Sequence, residues 1–107
     1  MKRIALMSMM ALLVACAGKE AASTRNELAA QACDAYAKGQ LGDKTYKLDH
    51  VALAASMADA GEGASFLRGP IVIEPGLSGE SAQTLECTVR FVEGKDQPDV
   101  LKMQFIW

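Results

Sequence analysis

The chain has one histidine and three cysteines in 107 residues, and that scarcity already excludes much chemistry. A structural zinc site needs four closely spaced nitrogen or sulfur ligands. Cys16, Cys33 and Cys87 lie far apart and His50 stands alone, so no metal and no other cofactor is expected. No C-x-x-C pair marks a redox centre. No serine sits in a nucleophile elbow, and no helix follows the glycines at 76, 79 and 94 to make them a phosphate loop. Positive charge is not in excess either, since 11 Lys and Arg face 13 Asp and Glu. The charges are interspersed, which argues against a nucleic-acid binder and leaves no polybasic patch for anionic lipid. The acids show no grouping that singles out a catalytic pair. His50 follows Asp49, but in a strand adjacent side chains point to opposite faces, which spoils that pairing. No enzyme is expected.

What is present begins with Met1-Lys2-Arg3, a short positive start, and an apolar run from Ile4 to Val14 broken only by Ser8. As a helix that run spans about 16 Å, half of the ~30 Å hydrocarbon layer, so it reads as a secretory signal rather than a membrane span. Four of the six methionines fall within residues 1–15, which removes the case for a Met-rich carrier in the exported domain. Without Lys2 and Arg3 the balance is 9 cations to 13 anions, a net of about −4.

The run ends in Leu13-Val14-Ala15-Cys16, which resembles the bacterial lipobox. The resemblance implies cleavage behind Ala15 and lipidation of Cys16, an anchorage far stronger than a single acyl chain gives. Ala17, where lipoproteins kept in the inner membrane usually carry Asp, implies sorting to the outer membrane. Ala15-Cys16-Ala17 is also an A-x-A site that ordinary signal peptidase would cut before Gly18. Three segments result: a signal peptide over 1–15, a lipidated Cys and flexible tether over 16–23, and one small domain over 24–107.

That domain reads as α+β. Thr24 and Glu27 have capping-box spacing, Ala29, Ala32, Cys33, Tyr36 and Ala37 recur at helical spacing, and Gly39 follows Lys38 as a stop. The spacing predicts a helix from Thr24 or Arg25 to about Lys38. Strands are expected over 65–74 with an interruption at Gly69-Pro70, over 81–93 with Leu85, Cys87, Val89 and Phe91 inward, and over 100–107 with Leu101, Met103, Phe105 and Trp107 inward. Residues 46–60 have helix-favouring composition but a two-residue period, and are read as a strand. The expected architecture is one N-terminal helix on a four-stranded antiparallel meander. Phe91, Phe105 and Trp107 are expected in the core, and Phe66 and Tyr46 on an exposed patch.

With Cys16 given to lipid, Cys33 and Cys87 remain as an even pair in an oxidising compartment. Both fall on faces expected to be buried, so a disulfide tying helix to sheet is expected. The layout is similar to that of small periplasmic lipoproteins of bacteria, from which no activity transfers. The expected role is therefore non-enzymatic binding of a protein or envelope component by an outer-membrane lipoprotein facing the periplasm. An inhibitor or immunity protein against a toxin or cell-wall hydrolase is the alternative. A small-ligand carrier is disfavoured, because one helix on one sheet encloses little space.

Overall fold

The computed structural model describes the backbone of residues 10–107 and the side chains from Thr24 onward. The signal peptide over 1–15 and the lipidation of Cys16 fall outside the described residues or side chains. Helix α1 runs Met10–Leu41 and is followed by β1 (Tyr46–Leu48), α2 (His50–Ala55), β2 (Ala58–Gly61), β3 (Ala64–Ile73), β4 (Ser81–Arg90) and β5 (Asp99–Ile106). The fold is α+β, with an antiparallel sheet of five strands rather than the expected four.

The α1 helix differs from expectation at both ends. Thr24 lies inside the helix, so Thr24 and Glu27 do not form its N-terminal cap. At the other end Gly39 stays helical, and the left-handed residue is Gly42 (φ 63°), whose N–H donates to the Lys38 carbonyl at 3.1 Å. The extra turn brings Leu41 against the core. Ala29, Ala30, Cys33 and Ala37 are buried as a small-residue stripe facing the sheet, whereas Tyr36 is exposed.

Residues 46–60 form no single strand. They divide into β1, α2 and β2, and both strands pair with the same side of β3. Asp49 decides the change of structure, because its Oδ1 accepts the Ala52 N–H at 3.0 Å and caps α2. Helix-favouring Ala52, Leu53, Ala54 and Ala55 follow. Ser56 ends the helix: its hydroxyl donates to the Leu53 carbonyl at 2.6 Å and accepts the Arg68 N–H of β3 at 2.8 Å.

This arrangement accounts for Gly69-Pro70. Strand β1 covers β3 at residues 71–73 and β2 covers it at 64–66, leaving a gap that α2 crosses. In the gap the Pro70 carbonyl accepts the Asp49 N–H at 3.2 Å, and Pro70 has no N–H to leave unpaired. Gly69 faces Leu53, where an added Cβ would lie 3.3 Å from the Leu53 N and Cα. The β3–β4 register is unbroken from Ala64↔Arg90 to Ile73↔Ser81, so the dipeptide opens the edge without bulging the central ladder.

Leu67, Ile71, Leu85, Cys87 and Val89 form the floor of the core as their parity predicts, and Leu53 and Cys33 close it from the helical layer. The Cys33–Cys87 disulfide is formed, with Cα atoms 6.2 Å apart and both residues fully buried. In β5 the expected parity fails at one end. The register slips between Thr88↔Lys102 and Val89↔Val100, leaving Leu101 as a bulged, exposed residue. Met103 and Phe105 keep the inward face, but Trp107 is 91% exposed and does not belong to the core. Tyr46 and Phe91 pack against the core, and Phe66 is half-buried on the sheet's opposite face.

Candidate functional site

The polar groups that meet in this fold come from α1, β1 and α2. Tyr46 is paired with Ile73 and so points to the helical side of the sheet, where its hydroxyl donates to Asp34 Oδ1 at 2.5 Å. His50, the first residue of α2, places Nε2 2.8 Å from Asp34 Oδ2. One carboxylate thus has both oxygens engaged by side chains 12 and 16 residues away. The Tyr46 phenol is pushed up from its ordinary 10 to about 12, first by burial and then by the hydrogen bond and negative charge of Asp34.

His50 therefore does partner an acid, but Asp34 rather than its neighbour Asp49, whose carboxylate is spent on the α2 cap. Sequence reasoning missed Asp34 altogether. It stands beside Cys33 on a helix of unexceptional composition, and no spacing links it to Tyr46 or His50. Only the return of β1 and the turn of α2 bring the three together.

Beside this cluster, α1 and α2 bound an open cleft of about 440 Å³. Ala30, Ala54 and Val51 give it apolar walls, with Asn26, Gln31 and His50 as polar lining. Asn26 Nδ2 donates to the Ala54 carbonyl at 3.0 Å, holding the C-terminal part of α2 to α1, while the Asp34–His50 contact holds its start. Val51 stands 82% exposed at the cleft. The expected exposed patch around Tyr46 and Phe66 is not formed as one surface, since Tyr46 faces the helices and Phe66 the other side.

Among the described residues no three His, Cys, Asp or Glu side chains group to hold a metal ion. Also among them, no helix is long and apolar enough to cross a membrane. Compared with protein-family models, curated proteins and solved structures, the chain matches none.

Proposed function

We propose that the protein is an outer-membrane-anchored periplasmic lipoprotein, non-enzymatic, whose α1–α2 cleft binds a protein or another envelope component. The observation that carries the binding role is Val51, a β-branched apolar residue 82% exposed on a helix that polar contacts pin beside an apolar cleft. A partner that fully covered this side chain would gain roughly 1.5–3 kcal/mol. The Asp34 cluster supports the non-enzymatic reading. Its carboxylate braces three elements with both oxygens, rather than standing ready to accept a proton from a substrate. The anchoring half of the proposal rests on Leu13-Val14-Ala15-Cys16 and on Ala17.

Two measurements test it. Wild-type protein should label with palmitate and fractionate with outer membranes, while Cys16→Ser should lose the label and accumulate as precursor or soluble protein. Unlabelled wild type free in the periplasm would remove the anchor. A photo-crosslinking side chain at Val51 in intact cells should capture one dominant envelope partner, and Ala54→Glu should abolish that capture. A toxin or hydrolase as the captured species would instead establish the inhibitor reading.

A further inference from the structure

The two edges of the sheet are finished differently. On the β1/β2 side, α2 bridges the gap and takes up the Arg68 N–H and the Pro70 carbonyl. On the β5 side the antiparallel alternation decides which backbone groups are left over. Arg68 and Pro70 turn theirs toward α2, so Leu67 and Gly69 bond to β4. Thr84, Glu86 and Thr88 of β4 then bond to their partners Ile106, Gln104 and Lys102 in β5. Met103 and Phe105 are left with N–H and carbonyl groups pointing away from the sheet. Among the described residues no hydrogen bond outside the sheet closes on them.

The core also runs out on this side. Leu67, Ile71, Leu85, Cys87 and Val89 are at most 1% exposed, whereas Val100, Met103 and Phe105 are packed against them yet only half-buried. Leu101, Ile106 and Trp107 are exposed in or next to the same strand. A long apolar edge of this kind invites another strand.

We infer that β5 is a homodimer interface, at which a second copy of this chain pairs antiparallel about a two-fold axis through Met103. Cross-strand neighbours share a face, so the axis of a symmetric pair must pass through a residue position. An axis at Lys102 would set that ammonium directly against its copy. One at Gln104 would set the Lys102 ammonium against the apolar Ile106. The axis at Met103 pairs Leu101 with Phe105 and Lys102 with Gln104, all C-terminal to Val100, where the register has slipped. It also sets the outward backbone groups of Met103 against the same groups of the second copy. From Leu101 to Phe105 every apolar residue then meets an apolar one, and the only charge, Lys102, meets a neutral amide. That self-complementarity favours a second copy over a strand of other sequence.

The test uses the full chain in detergent and sedimentation equilibrium across a range of concentrations. Gln104→Lys suits the fold, because Gln104 is exposed and faces Glu86 within its own sheet. Across the axis, however, it opposes Lys102 twice. It should weaken dimerisation by about twofold to thirtyfold, the range that two cross-strand charge pairs give. Lys102→Glu combined with Gln104→Lys should restore or exceed wild-type affinity. A wild-type monomer at every concentration overturns the inference. So does a dimer whose affinity neither variant changes.

Discussion

Asp34 is the residue on which the helical layer depends, because two groups from separate elements converge on it. A hydrogen bond to a charged carboxylate contributes about 1.5–3 kcal/mol, and the half-exposed contact with His50 adds at most about 1 kcal/mol. Asp34→Ala should therefore lower stability by about 1–3 kcal/mol in denaturant unfolding. An unchanged midpoint would mean that the cluster braces nothing. Tyr46 gives the same contact a pH signature. Its folded pKa is about 12 against 10 in the unfolded chain, so between those values the unfolded state sheds the phenolic proton that the folded state keeps. The contribution is whole below pH 10, falls as pH rises toward 12 and is gone above it. Tyr46→Phe should flatten the decline in stability over that window relative to wild type. In a Tyr36→Phe background, spectrophotometric titration should find the remaining phenol ionising near 12; ionisation near 10 would show that Asp34 does not hold it.

At the scale of elements, the seating of α2 on β3 depends on Gly69. An added Cβ there meets the Leu53 backbone at 3.3 Å, and backbone cannot rotate aside as a side-chain tip can. Gly69→Ala should destabilise by about 1–3 kcal/mol, the usual effect of overpacking, and should raise hydrogen exchange in α2 before that in β4. Equal exchange rates in the two proteins would show that the close approach is relaxed at no cost. The same element shows why some of the fold was legible in the sequence and some was not. Strands β3 and β4 were readable because each residue's parity agrees with its burial, Leu67 to Ile73 and Leu85 to Val89 alike. Residues 50–55 were misread because Val51, Leu53 and Ala55 fit a two-residue period as well as a helical turn, and six residues are too few to separate them. The Asp49 cap was the available signal, and it was read as a failed partner for His50. Leu101 was expected in the core because the strand period runs through it, where the bulge breaks it, and Trp107 because it continues the parity of Met103 and Phe105, although β5 ends one residue earlier at Ile106. Asp34, Tyr46 and His50 left no local trace, since only tertiary structure makes them neighbours.

For the molecule as a whole, the question is what keeps an alanine-faced helix on the sheet. Ala29, Ala30 and Ala37 let α1 approach closely but remove little apolar surface from water, so their burial contributes less than a Leu-rich stripe would. The Cys33–Cys87 disulfide fills that deficit. It closes a 54-residue separation, which in the chain-entropy account corresponds to about 4 kcal/mol. That is a large share of the 5–15 kcal/mol typical of a whole domain. Both sulfurs are buried in the core, and no C-x-x-C partner stands beside either, so the bond belongs to stability rather than thiol exchange. Wild-type protein denatured without reductant should show no reactive thiol at 33 or 87 by mass spectrometry of alkylated peptides. Reduction, or replacement of both cysteines by alanine, should lower stability by about 2–5 kcal/mol. The loss should have a direction: α1 loosens while the β3–β4 ladder, which does not depend on the bond for its register, retains its exchange protection. Melting curves that superimpose with and without reductant would show that the helix is held by packing alone.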